Sequence, residues 1–259
     1  MKWFIRNNRL VIYGSYVFVA IALILAILND FYTTFVAVFC AAFLLLLTII
    51  LNIVQNKALK NAKEILDNRC DPSEYLEVAG GLYKSNTKLP ARIVNYCNAL
   101  LYSDLSNFKI VRDALEQIER SHTAITSKYV EAQFYVTLCD VMIFYKEYHN
   151  AEIYYKRAYQ AYEGISKEEQ IDEIRDRLLI ALVQILVYKG DLDRAQRECE
   201  SIEDKSKRLK LEKLYLNAII SLAKGENENA RAYLETVSNS ANKLSLSDKA
   251  DQLLNQDKE

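Results

Sequence analysis

The chain has 259 residues and a formal net charge of −1, with only six glycines and two prolines. Scarce Gly and Pro beside plentiful Leu, Ala, Lys, Glu and Tyr disfavour sheets joined by tight turns and point to an all-α fold. A mildly acidic body beyond residue 63 excludes nucleic acid as the main ligand, and the absence of Lys, Arg, Asp and Glu from residues 10–28 and 31–54 implies two different solvents along one chain.

Residues 1–9 form a basic N-terminus carrying Lys2, Arg6 and Arg9. The runs 10–28 and 31–54 each reach the roughly 20 residues needed to cross about 30 Å of hydrocarbon as a helix. Only Asn29 and Asp30 separate them, so residues 10–54 are expected to form a transmembrane helical hairpin, with Asp30 capping its second helix. Lys2, Arg6 and Arg9 before the hairpin and Lys57, Lys60 and Lys63 after it place both ends on the cytoplasmic face of the cell membrane. Trp3, Phe4, Phe31 and Tyr32 fall at the expected interfaces. A cleaved signal peptide is the competing reading, opposed by an apolar run longer than the usual 7–15 residues and by the lack of a small-residue cleavage site. Gly14 and Ser15 are either a close-packing point between the spans or small residues that are merely tolerated.

Residues 55–71 read as an amphipathic connector helix, with Ala58, Ala62, Ile65 and Leu66 on one face and a stop at Asp71-Pro72; residues 57–84 either continue the second span or form an additional repeat. Residues 72–243 carry the main domain. Its apolar periodicity predicts helices near 73–84, 89–104, 108–120, 126–146, 148–163, 168–189, 191–203, 207–224 and 226–237, with breakers at Asn86 to Pro90, Gly164, Gly190 and Gly225. Gly80-Gly81 reads as a kink, a close helix contact or a break. Residues 244–259 hold a last helix, 244–255, whose Leu244, Leu246, Ala250, Leu253 and Leu254 suit it to cap an array. The five cysteines are widely spaced without a C-x-x-C pair, which fits buried packing in a reducing compartment and no metal site.

Three segments align on their turns: YKEYHNAEIYYKRA from 145, YKGDLDRAQRECESI from 188 and AKGENENARAYLETV from 223. Ala151, Ala195 and Ala230 share one column, and Tyr155, Cys199 and Leu234 follow four residues on. The arrangement resembles the tetratricopeptide repeat (TPR), a 34-residue pair of antiparallel helices. In the best copy, from Ala132, Tyr135, Leu138 and Cys139 take the first-helix positions, Tyr148 follows the turn, and Ala151, Tyr155 and Ala158 occupy the second helix. A weaker copy from Arg92 includes Ala99, Phe108, Val111, Leu115 and Ile118. The resemblance implies a TPR-like α-solenoid of stacked helix pairs whose concave face is built from first helices and binds a protein, peptide or partner helix. It puts Tyr96 and Leu100, then Gln133, Asp140 and Phe144, then Arg177, Gln184 and Tyr188, then Tyr215 and Ile219 on that face. Arg177, Gln133 and Gln184 are the expected hydrogen-bonding groups, against the alternative that the aromatics are packing and the polar residues solvated.

Nucleotide-binding and hydrolase motifs are absent, and His122 and His149, the two imidazoles, each lie beside an expected turn. No enzyme, cofactor or metal is expected. The resulting reading is a membrane-anchored interaction scaffold or adaptor. An accessory subunit of a membrane transport or secretion complex and a ligand-sensing array are the alternatives.

Overall fold

The structure, a computed structural model, describes residues 8–28, 33–85, 90–121, 125–166 and 168–256. The expectations that rest on Lys2, Trp3, Phe4, Arg6, Asn29, Asp30, Phe31, Tyr32 and His122 lie outside those residues. The described residues form only helices: α1 (Asn8–Leu28), α2 (Thr33–Arg69), α3 (Pro72–Ser85), α4 (Pro90–Ser103), a 3₁₀ turn (Leu105–Asn107), α5 (Phe108–Arg120), α6 (Lys128–Phe144), α7 (Tyr148–Glu163), α8 (Glu168–Lys189), α9 (Leu192–Glu200), α10 (Lys207–Lys224), α11 (Asn227–Ser240) and α12 (Ser245–Gln256).

No Gly or Pro interrupts residues 33–69, so α2 runs unbroken out of the apolar segment and through the connector. Cys70 ends it in the left-handed region, at φ 55°, and Pro72 opens α3, where a missing N–H costs nothing. Asp71 accepts the Ser73 backbone N–H at 3.0 Å and caps that start. One described helix, residues 34–69, is long and apolar enough to cross a membrane, with a mean hydropathy of 2.8 at its most apolar stretch; Val11–Ile27 is a shorter apolar helix. α1 packs on α2, where the Phe18 and Phe43 rings lie 6.1 Å apart. Gly14 has no neighbour within 4 Å of the place a Cβ would take, so it is no point of close approach. The Ser15 hydroxyl donates within its own helix, to the Ile12 carbonyl.

The aligned turns share one backbone geometry. Lys146, Gly190 and Gly225 are all left-handed, at φ 61°, 75° and 79°. In each turn the next amide reaches back over five residues: Glu147 to Met142, Asp191 to Leu186 and Glu226 to Ser221, at 2.8 to 3.0 Å. These are Schellman closures, which satisfy the orphan carbonyls of a helix end. Five residues beyond each left-handed position stands Ala151, Ala195 or Ala230, every one fully buried, as is Val111 in α5. Small residues there let α7, α9 and α11 press against α6, α8 and α10. Gly80-Gly81 lies within continuous α3, and a Cβ on Gly80 would stand 3.5 Å from the Tyr96 ring, so the pair marks a helix contact, not a break.

First helices touch in succession, α4 to α6, α6 to α8 and α8 to α10, and α10 then touches α2, while α12 reaches both α4 and α10. The two ends of the array therefore meet. One apolar cluster joins Ala62 and Leu66 of α2, Ala79 of α3, Ala218 of α10, Leu234 of α11 and Ala250 of α12. Polar seams reinforce it: Ser245 donates to the Leu101 carbonyl at 2.6 Å, Lys243 pairs with Asp71 at 2.7 Å and the Lys243 amide reaches the Cys70 carbonyl. All five cysteines are free and buried, Cys70, Cys97, Cys139 and Cys199 within the array's apolar clusters and Cys40 in the apolar part of α2.

Candidate functional site

The inner wall of the array is polar at its centre. Arg177, on α8 and 8% exposed, donates to Asn98 of α4 and Thr137 of α6, each at 3.2 Å, and to the Asp140 carboxylate at 2.6 Å. Burial alone would lower its pKa, but the Asp140 charge and hydrogen bond, together with Tyr102 and Glu173, raise it, and the guanidinium is held charged. Arg208, on α10, bonds Asp67 of α2 at 2.6 Å, Glu212 at 2.7 Å and the Tyr102 hydroxyl at 3.4 Å. A third set gathers on Glu173, which accepts from Tyr129 at 2.7 Å and Gln133 at 3.3 Å and pairs with Lys63. Arg177, Arg208 and Glu173 thus each have a counter-charge, as interior ions require.

Next to Arg177 lies a cavity of about 370 Å³. Asp140 and Phe144 reach it from α6, Arg177, Gln184 and Tyr188 from α8, and Tyr215 and Ile219 from α10; Tyr102 and Glu212 complete its polar wall. The fourth side is α12, which contributes Leu246, Lys249 and Leu253. Tyr148 and Tyr188 stack at its mouth with ring centroids 3.9 Å apart, Tyr188 being 62% exposed. Phe108 and Phe144 stack at 3.9 Å deeper in. Burial pushes the Tyr215 hydroxyl up to about 12.

Seven of the residues expected on the concave face, Asp140, Phe144, Arg177, Gln184, Tyr188, Tyr215 and Ile219, meet around this one space. Tyr96 and Gln133 do not line it. Tyr96 stacks on Tyr83 at 4.7 Å between α3 and α4, and Gln133 is buried and bonded to the Tyr129 hydroxyl at 2.8 Å. Leu100 is buried in the core between α4 and α6. Arg177 turns its donors inward, to protein, and Gln184 donates to the Ile180 carbonyl of its own helix at 3.3 Å.

Lys249 was not among the expected residues, although a signal for it exists. It lies on the stripe Leu246, Ala250, Leu253, at the spacing of the buried face of α12. A lysine on that stripe has to point at the array. His149 is exposed on the outer surface.

These features define an all-helical, repeat-like protein with one candidate membrane-crossing helix. No protein-family model, no curated protein and no solved structure matches the chain.

Proposed function

We propose that this chain is a membrane-anchored interaction scaffold, in which a two-span N-terminal hairpin holds a TPR-like array at the cytoplasmic face and the array's inner rim captures a protein or peptide partner. What carries the reading is convergence: α6, α8 and α10, from successive helix pairs, turn side chains of complementary character toward one cavity mouth. Tyr188, with its ring stacked on Tyr148, gives rigid amphipathic area of the kind that anchors interfaces. Phe144 and Gln184 lie beside it. Arg177, engaged with Asn98, Thr137 and Asp140, shapes the rim and is not itself the docking group. Anchoring raises the partner's effective concentration at the bilayer, which is a mechanism without chemistry.

Crosslinking in intact membranes, followed by recovery of the chain, tests the capture. Tyr188→Ala is expected to lower recovery of the partner severalfold, while Ile110→Ala, at an exposed site on α5, leaves it unchanged. Equal recovery from both variants overturns the reading. Alkaline carbonate washing tests the anchor separately: the chain stays in the membrane pellet if the apolar helices insert, and leaves with the wash if they do not.

A further inference from the structure

Around the cavity, charge away from solvent is matched except at one place; Lys146, which also lines it, is exposed to water. Arg177 has Asp140 and Arg208 has Asp67 and Glu212. Lys249 has no hydrogen bond and no ion pair among the described residues, and its ammonium sits 5.2 Å from the centroid of the Phe108 ring. An ammonium drawn into an apolar recess loses hydration that only a counter-charge restores. Desolvation accordingly lowers the Lys249 pKa, with Asp140 and Glu212 acting from a distance to raise it. Both carboxylates are bonded to guanidiniums at 2.6 and 2.7 Å, and neither forms an ion pair with Lys249.

The space in front of Lys249 is of ligand size, since small-molecule pockets run from about 300 to 1,000 Å³. Phe144, Tyr148, Tyr215 and Ile180 give it apolar and aromatic walls. Arg92, near the start of α4, donates to Gln55 of α2 at 2.9 Å, just past the apolar run. Leu101 and Tyr102, at the other end of α4, line the cavity, roughly 14 Å further along at 1.5 Å per residue. The cavity therefore lies at the end of α4 away from the apolar run.

We propose that the cavity binds a small amphipathic anion, a free carboxylate on an aromatic or alkyl frame. Its carboxylate pairs with Lys249, and its body packs between Phe144, Tyr148 and Tyr215. The occupant bridges α12 to α6 and α10, so binding stabilises the closed array in proportion to ligand concentration over Kd. The proposal rests on the cavity and its unmatched charge and does not require the partner reading.

The test uses the full chain in zwitterionic phosphatidylcholine nanodiscs, titrated with 3-phenylpropionate, octanoate and the amide of each. Ligand-observed saturation-transfer NMR and the shift in melting temperature are the readouts. At least one acid is expected to bind and raise the melting temperature, with its amide about tenfold weaker or more, as befits a charge-assisted contact. Lys249→Met is expected to fold, because it replaces the cation by an apolar side chain of similar length, and to erase the acid-over-amide preference. Lys249→Arg is expected to keep it. Equal binding of acid and amide, an unchanged preference in Lys249→Met, no binding of either acid at millimolar concentration, or tighter binding by a short peptide with a free C-terminus would each overturn the proposal. Partner recovery through Tyr188 is read separately from carboxylate binding through Lys249, so either can fail alone.

Discussion

The two ends of this molecule use the same apolar residues in opposite ways. Of the twenty-two large hydrophobic residues exposed among those described, seventeen lie between Tyr13 and Ile53, including Phe18, Phe35 and Phe39. Beyond residue 55, by contrast, the large apolar side chains go inward, and Phe108, Phe134, Leu115 and Leu138 are essentially inaccessible. The array has a further feature that α1 and the apolar part of α2 lack: buried ion pairs, such as Arg177 with Asp140 and Arg208 with Asp67. An apolar surface of this extent in water would aggregate, whereas in hydrocarbon it needs no cover. The contrast teaches that exposure has to be judged against the local solvent.

Truncating one aromatic ring on each side is the strongest way to break the comparison. Phe134→Ala, in the core between α4 and α6, is expected to cost the array about 3–5 kcal/mol, measured by urea unfolding followed by circular dichroism in detergent. Phe39→Ala, 66% exposed, is expected to change that transition by less than about 0.5 kcal/mol. A comparable loss from both variants would mean that the apolar segment folds as part of the array's core.

Arg208→Ala tests the seam between the two regions. It leaves the Asp67 and Glu212 carboxylates without their cation, at an expected cost of about 3–5 kcal/mol. Because Asp67 stands on α2, hydrogen exchange should rise at residues 58–69 as well as in α10. Exchange confined to α10 would show that α2 is held by apolar contacts alone.

Much of the array was legible in the sequence, because its signals are local. Gly190 and Gly225 announce left-handed closures, and the alanines five residues on announce tight helix pairs, so α7, α8 and α10 begin and end where periodicity puts them. The continuity of α2 was left open by the sequence, which allowed residues 57–84 to be a further repeat as well, although no breaker stands before Asp71. Closure of the array was not. Arg208 and Asp67 are 141 residues apart, and nothing within a helical window of either names the other. The site was half legible: the repeat resemblance put Asp140, Gln184 and Tyr188 on the inner face, and the apolar stripe of the last helix marked it as a cap, but the register did not show that α12 forms a wall of the cavity, and Lys249 was not among the expected residues. Tyr96 and Gln133 have the inward register yet are absorbed by α3 and by Glu173.

Lys146 sharpens the comparison among the three turns. It sits at φ 61° where the other two have glycine, a conformation that costs a residue with a Cβ roughly 1–2 kcal/mol. Lys146→Gly is expected to stabilise the array by up to about 1 kcal/mol, and Gly225→Ala to destabilise it by about 1 kcal/mol. Two changes of the same sign in thermal unfolding would mean that the turns are not equivalent.

The smallest effect is expected at the elbow between α2 and α3. Asp71 accepts from the Lys243 ammonium, and then from the Ser73 hydroxyl and backbone, which together hold its carboxyl at about 2. An unfolded aspartate titrates near 3.9. Because the folded value is the lower one, the folded state favours the ionised form, and the added stability is fully present above about pH 4 and is lost as the pH falls toward about 2. Lys243 is largely exposed, so solvent screening keeps the contribution below about 1 kcal/mol. Asp71→Asn should therefore be slightly less stable than the parent at pH 6, and the gap should narrow with added salt and close by about pH 2. A gap that persists at low pH would assign the stabilisation to the neutral cap on Ser73. The tie between the α2 elbow and the loop before α12 would then contribute nothing, leaving Arg208 and the apolar cluster to hold the two ends of the array together.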